Sequence, residues 1–561
     1  MTDRRRSRWL ALGISVFLST VLVIAAFNPA PHNGGDNAAY VTLAYSLVQH
    51  GTYTDLYDPA ELPHTKYPPV FPGLLAALLL LGARTWTALK AVTAISTVAT
   101  VGFTFLWAER RLGAWPALGV AALLAISSAV VYHSHWILSD PLFVAFTMAA
   151  LWALEGADED EAGWWWTVGG VAAVGLAYFT RSAGLPLLVA LFVWFGLRKR
   201  WRSLGLSSVA VGVPALLWWL RGRGEGVGDY GAEFWMVDPY QPGLGTVGIA
   251  GLVGRAVDNA WAYTTGHGPG GILGGSGGGV AAFGMLLTVA ALYGWFRSSR
   301  ERIGVGEIFL PLYAGLILLW PEVWSGDRFA LPLYPLFFLF AALTLRDVVS
   351  KIGEWVGSLG RSALVVAAIS AVLLPSGRTW LNSVQQASSC ADATRPGGAW
   401  ACYGSGVVDF AAAAEWMHES LPDGAAVLTR KPRLFYVLSG IPSRVFPFDD
   451  DPAVLLADAD RLGARYVLLD RWDGLAGSYV GGALQRYPQA FCSVRNFGTP
   501  DAPTYLLGVL PPSERGVGAG AGTGEVRIAG CTTDFALGDA LGVGYSPSRS
   551  MRIPLLDGLD P

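Results

Sequence analysis

Apolar residues run along this chain in long blocks, and a helix needs about 20 of them in succession to cross a bilayer core. Such blocks occupy 10–27, 85–107, 115–137, 139–154, 164–180, 184–197, 204–220, 279–296, 307–321, 329–345 and 362–375, giving eleven candidate spans. Several are shorter than ideal, as suits helices packed inside a bundle. A twelfth block, 68–82, follows Tyr67-Pro68-Pro69. Basic loops stay on the cytoplasmic side of a membrane, and this rule settles its fate. Arg4, Arg5, Arg6 and Arg8 place the N-terminus inside, and Arg198, Lys199, Arg200 and Arg202 place the 198–202 turn inside as well. An even number of crossings must separate the two anchors. The count is six without 68–82 and seven with it. Block 68–82 is therefore expected to lie at the outer surface, or to dip in and return. Arg110, Arg111, Arg297, Arg300, Arg302, Arg346 and Lys351 also fall inside, whereas Arg221 and Arg223 fall outside against the trend. No small-residue cleavage site follows the first block at Phe27-Asn28-Pro29, so it reads as an uncleaved first helix.

The pattern changes after 376. Stretch 408–421 has helical spacing and stops at Pro422-Asp423-Gly424. Segment 426–429 reads as a short buried strand, 433–440 and 452–462 as helices, and 466–470 as another strand. Alternating helix and strand predicts a small α/β unit with a partly parallel sheet. The glycine-rich stretch 512–525 reads as a loop, and no phosphate-cradling glycine motif precedes a helix. The chain thus divides into a polytopic helical membrane module, 1–375, and a soluble α/β unit, 376–561.

Composition agrees with this division. Of 561 residues, 53% are hydrophobic and 14% charged, against about 25% charged in soluble domains. The 23 tryptophans suit interfacial aromatic belts. A net charge of −3 gives no basic balance for nucleic acid. All four cysteines, Cys390, Cys402, Cys492 and Cys531, lie after 376, on the outer side in this topology. An even count there suggests two disulfides. The favoured pairing is Cys390 with Cys402 and Cys492 with Cys531, while three connectivities remain open.

The same topology puts loop 28–84, turns 136–140 and 180–184, and loops 221–278 and 321–328 outside. Loop 28–84 is the richest in polar groups, with His32-Asn33-Gly34-Gly35-Asp36-Asn37 leading into a helical pattern through Tyr40, Leu43, Ala44 and Leu47. Asp36 therefore falls at a helix N-terminus, where a carboxylate is favoured even as a simple cap. Other charged groups at outer boundaries are Lys66, Asp140, Arg181 and Arg328. For the cations, the plain alternative is snorkelling at the interface. His133 and His135 precede Asp140, but a metal site is not favoured for them and no cofactor is expected.

The segments GDNAAYVTLAYSLVQHGTYT and TKYPPVFPGLLAALL resemble the first external loop of GT-C membrane glycosyltransferases, especially protein O-mannosyltransferases and lipid A aminoarabinose transferases. LSDPLFVAFTMAALWAL, AYFTRSAGLPLLVALFVW, GDRFALPLYPLFFLFAA and, in the soluble part, WMHESLPDGAAVLTRKPRLFYVLSG resemble further segments of these enzymes. Many relatives carry an acidic pair where this chain has Asp36-Asn37. The resemblance implies a polyprenyl-phosphate sugar donor and inverting transfer at the outer face of the cytoplasmic membrane, to a lipid, polysaccharide or protein acceptor. It implies Asp36 as general base. Lys66, Arg181 and Arg328 would meet the leaving phosphate. Asp140 would orient substrate, or hold a cation or the 66–69 loop, and Tyr40, Tyr67 and Tyr334 would line the site. The alternatives are a transporter or flippase for a lipid-linked intermediate, and a non-catalytic anchor for the soluble unit. The former would place ionisable groups deep in the helices, and here the charges cluster at helix ends.

Overall fold

The computed structural model describes residues 2–158, 163–222, 230–422, 424–515 and 530–531. Its first two thirds are helical, and the eleven apolar blocks lie largely in helices. Six described helices are long and apolar enough to cross a bilayer: Arg5–Ala25, Trp86–Leu112, Trp201–Arg221, Gly278–Glu301, Leu333–Lys351 and Gly357–Gly397. Asp140–Gly156 and Trp164–Thr180, of 17 residues each, and the shorter Ala114–Ile126, Leu185–Leu197 and Val305–Leu318 pack among them. Block 115–137 is interrupted, with a second helix at Ser128–His133. Block 68–82 forms Val70–Leu80, of 11 residues. At 1.5 Å per residue it is about 16 Å long, half a hydrocarbon core. It packs against helix Gly35–His50, through Phe71, Leu75 and Leu79.

Charges sort to the two ends of the bundle. Helix Asp140–Gly156 carries Asp140 at its start and Glu155 near its end, about 22 Å apart along the axis. At the Glu155 end, Arg111 bonds Glu155 (2.8 Å) and Glu307 (2.5 Å), and Asp158 takes Arg198 (2.6 Å) and Arg302 (2.7 Å). These arginines are among those expected on one side of the membrane. Arg221 reaches the opposite end, where it donates to the His64 carbonyl at 2.5 Å.

The helix expected to stop at 375 runs on to Gly397. The polar stretch after 375 does not end it, because helical structure needs no apolar run once outside a bilayer. The break comes earlier, at Gly357, whose φ of 66° only glycine adopts readily. From Gly357 to Gly397 the helix has 41 residues, about 60 Å, twice a hydrocarbon core.

In the α/β unit expected from 376 onward, called the soluble unit below, the first helix after the long one is Ser405–Ser420. The unit's sheet comprises β1 (Val427–Leu428), β2 (Ser443–Arg444), β3 (Tyr466–Leu469), β4 (Phe491–Phe497) and β5 (Thr504–Val509), in the order β2-β1-β3-β5-β4. β1 is parallel to β2 and β3, while β5 runs antiparallel to β3 and β4. Alternation divides the strands between two faces. Leu428, Val467 and Leu507 pack on helices Pro452–Leu462 and Leu475–Arg486. Val427, Tyr466, Leu468 and Leu506 join Phe410, Phe435 and Leu438 in a core that continues into Tyr40, Leu43, Phe71, Trp86 and Trp136 of the membrane unit. The soluble unit is therefore docked on segment 28–84. Arg444 clamps buried Asp58 at 2.7 Å, and the Ser443 amide donates to the Tyr57 carbonyl at 2.7 Å. The disulfides are Cys390–Cys402 and Cys492–Cys531. The stretch expected to loop at 512–525 lies mostly outside the described residues.

Candidate active site

Asp36 sits in the first turn of helix Gly35–His50, whose N-cap is Gly34 with no side-chain cap bond. The carboxylate is not spent on capping. Tyr67 donates its hydroxyl to Oδ1 at 2.8 Å, and Arg328 donates Nη1 to Oδ2 at 2.7 Å. The side chain stays 34% exposed, so an incoming group can reach it. Burial would raise its pKa, but the guanidinium groups of Arg328 and Arg433 and the two hydrogen bonds hold it well below the usual carboxylate range. The neighbouring Asn37 is fully buried and donates Nδ2 to the His32 carbonyl at 2.7 Å. Asn37 thus acts as a brace for the turn that carries Asp36.

Arg328 lies in the short turn Asp327–Ala330. It joins both carboxylates, for its Nε reaches Asp140 Oδ2 at 2.9 Å while Nη1 holds Asp36. Asp140 opens its helix, where a negative charge is favoured. Arg181 donates to the same Oδ2 at 2.6 Å. Arg181 occupies the extended link between Thr180 and the turn Ser182–Gly184. That turn folds back tightly, since a Cβ on Gly184 would lie 2.7 Å from the Tyr178 Cα. Tyr40 shares a hydrogen bond with Ser139 at 2.7 Å, which itself accepts from Arg181 at 3.3 Å. Asp36, Tyr40, Tyr67, Asp140, Arg181 and Arg328 are thus brought into one network.

Lys66 stands beside it without joining it. Its ammonium donates to both Glu233 oxygens, at 2.9 and 2.8 Å, and lies 4.5 Å from the Tyr230 ring. Tyr334 is buried beneath the Asp327 turn, donating to that residue's carbonyl at 3.4 Å. His133 faces Asp327 at 3.6 Å and His135 lies against Trp136, so neither approaches Asp140 as a partner. Among the described residues no three His, Cys, Asp or Glu side chains are grouped to hold a metal.

Four participants escape the sequence reading. Glu233 lies in an external loop with no motif. Asp55 and His64 form a buried relay behind Tyr67: the Tyr67 amide donates to His64 Nε2 at 2.7 Å, so Nδ1 carries the proton and donates to Asp55 at 2.8 Å. Burial, opposed by Asp55, keeps the His64 pKa below its ordinary value and the ring neutral. Arg433 comes from the soluble unit and donates to the Tyr67 hydroxyl at 3.0 Å. Its sequence signal is the basic run Arg430-Lys431-Pro432-Arg433 following a predicted strand.

The family profile described as dolichyl-phosphate-mannose-protein mannosyltransferase matches residues 66–219, which include Lys66, Asp140 and Arg181. No curated protein matches the chain by sequence. Among solved structures, the chain is similar to the archaeal oligosaccharyltransferase AglB from Archaeoglobus fulgidus in complex with an inhibitory peptide and a dolichol-phosphate, with a TM-score of 0.55 and 15% identity over 89% of this chain and 74% of that one. It is also similar to ArnT from Cupriavidus metallidurans bound to undecaprenyl phosphate, with a TM-score of 0.53 and 13% identity over 90% of this chain and 98% of that one. The chain therefore shares its fold with these GT-C membrane glycosyltransferases, the class that its external-loop segments resemble.

Proposed function

We propose that the chain is an inverting glycosyltransferase that moves a sugar from a polyprenyl-phosphate donor to an acceptor hydroxyl or amine at the outer face of the cytoplasmic membrane. In this reading the helical module carries the reaction, and the region from 376 onward is extracytoplasmic. The observation that carries it is the arginine bridge between two carboxylates, in which Arg328 holds both Asp36 and Asp140 while Arg181 holds Asp140 again. Such a cluster is suited to an anion. Lys66, Arg181 and Arg328 stand together here, each paired with a carboxylate for which a phosphate would compete. AglB and ArnT were solved with dolichol-phosphate and undecaprenyl phosphate, which supports a lipid phosphate here.

The reaction needs few participants. The acceptor oxygen or nitrogen forms its bond to the anomeric carbon from the face opposite the phosphate. The anomeric carbon–phosphate oxygen bond breaks, and its electron pair leaves on the lipid phosphate. Arginine stabilises that charge with paired N–H donors, and lysine does so as a point charge. The acceptor proton passes to Asp36. In the empty site Asp36 is bound to Arg328, and a phosphate competing for Arg328 would free the carboxylate and raise its basicity.

The test is Asp36→Asn, assayed with purified protein and a panel of polyprenyl-phosphate sugars. Loss of a positioned general base costs about 10²- to 10⁴-fold in rate. Membrane insertion and expression are expected to be unchanged. Transfer by Asp36→Asn at the wild-type rate would remove Asp36 as the base.

A further inference from the structure

We infer that the soluble unit completes the reaction site, with Arg433 positioning the Asp36 carboxylate through the Tyr67 hydroxyl. This rests on the glycosyltransferase reading proposed above.

The geometry is a relay across the boundary between the two units. Arg433 Nη1 donates to the Tyr67 hydroxyl at 3.0 Å, and that hydroxyl donates to Asp36 Oδ1 at 2.8 Å. The same nitrogen stands 4.0 Å from Oδ1, beyond a good hydrogen bond but within an ion pair. The guanidinium is only 18% exposed and lies over the rings of Tyr57 and Tyr67, at 5.5 and 5.4 Å. A tyrosine hydroxyl can rotate its single proton towards several acceptors. With Arg433 donating to its oxygen, the hydroxyl proton is left for Asp36.

Local physics gives Arg433 no reason of its own to be where it is. It stands in the first turn of helix Pro432–Ser439, where the helix dipole disfavours a cation. Its neighbours Arg430 and Lys431 have a carboxylate of their own unit, Asp473, at 2.7 and 3.9 Å, although Arg430 also lies 5.3 Å from the Tyr240 ring. Arg433 instead turns outward to the membrane unit. Docking has other supports besides it, in the Arg444–Asp58 clamp, the Ser443–Tyr57 backbone bond and the shared apolar core. Its contribution is to the site. Oδ2 of Asp36 is fixed by Arg328, and Oδ1 is fixed by Tyr67 under Arg433.

The experiment is a double-mutant cycle on the full-length protein, with initial rates at saturating and limiting donor. Arg433→Met and Tyr67→Phe are each expected to lower kcat by about 10- to 100-fold, the cost of a slightly misplaced reacting group. The donor KM should move by less than about threefold, since Asp36 is no phosphate ligand. The double variant is expected to be no worse than the poorer single variant. If Arg433→Met does not accumulate as folded protein, Arg433→Lys replaces it, and its loss should vanish in the Tyr67→Phe background. Wild-type kcat in Arg433→Met, or losses that multiply in the double variant, would overturn the inference while leaving the proposed function standing. Absence of transfer by the wild-type chain from every donor in the panel would remove both.

Discussion

Single buried groups show how closely charge is matched in this protein. Asp36 is held ionised by Arg328 and Arg433 against the cost of burial. Its depressed pKa means that its ion pairs contribute stability above the ordinary carboxylate value of about 4, and lose it only in stronger acid. Asp470, after β3, is the opposite case. It is 3% exposed, accepts the Trp472 amide on Oδ1 at 2.9 Å, and has no described partner on Oδ2. Burial, helped by Asp473, pushes its pKa up to about 6 despite the Trp472 amide, Arg430 and Lys431. A raised pKa favours the protonated folded form. The stability tied to that proton is complete below pH 4 and is lost as pH rises through about 6. Asp470→Asn keeps the acceptor for Trp472 and removes the charge. It should stabilise the soluble unit by roughly 2–3 kcal/mol at pH 8, with a gain that shrinks towards pH 4.5. Thermal unfolding in detergent at the two pH values checks this, and an equal shift at both would contradict it. Of the network, Asp140, Arg181 and Arg328 are legible in the sequence as charges at ends of apolar blocks, and Asp36 as the acid that opens a helical pattern. Arg433 is not legible in that way. It is 366 residues from Tyr67, and only the docking of the soluble unit makes them neighbours.

Elements were readable where one force dominates. Apolar length marks the helices, and the parity of basic loops separates 68–82 from the spans, in keeping with its 11-residue helix. Strands were harder. The reading of 426–429 and 466–470 finds β1 and β3, which are short and wholly apolar at the core. It misses β2, two residues long and defined only by pairing with β1. It also misses β5, although Thr504–Val509 is largely apolar and central, and β4, which mixes Ser493, Arg495 and Asn496 with its apolar positions, forms the sheet edge and carries a bulge. The Cys390–Cys402 bridge acts at this scale, stapling the last turns of helix Gly357–Gly397 to the chain that enters the soluble unit. A loop closed over a separation of 12 residues contributes about 3 kcal/mol in the chain-entropy picture. Cys390→Ser with Cys402→Ser should therefore lower the midpoint of thermal unfolding and expose the 398–404 segment to protease. Unchanged protease resistance would show that the shared core alone orders this connection.

At the scale of the whole molecule, charge is sorted along the bundle axis. Arg111, Arg198 and Arg302 gather with Glu155, Asp158 and Glu307 at one end, and Asp36, Asp140, Arg181 and Arg328 gather at the other beneath the soluble unit. Arg200 also reaches Asp158, at 3.4 Å, so four arginines stand against three carboxylates in the first group, the bias expected of a cytoplasmic end. The second group would then face outward, together with both disulfides, which persist in an oxidising compartment. A thiol-labelling experiment tests this orientation cleanly, since the native cysteines are paired and do not compete for reagent. Glu419→Cys places an exposed thiol on the soluble unit, and Glu301→Cys places one at the arginine-rich end, where the native side chain is 65% exposed. A membrane-impermeant maleimide should label the first in intact cells and the second only after permeabilisation. The reverse pattern would turn the molecule over, put the Asp36 site on the cytoplasmic side, and require the donor's sugar to be presented there.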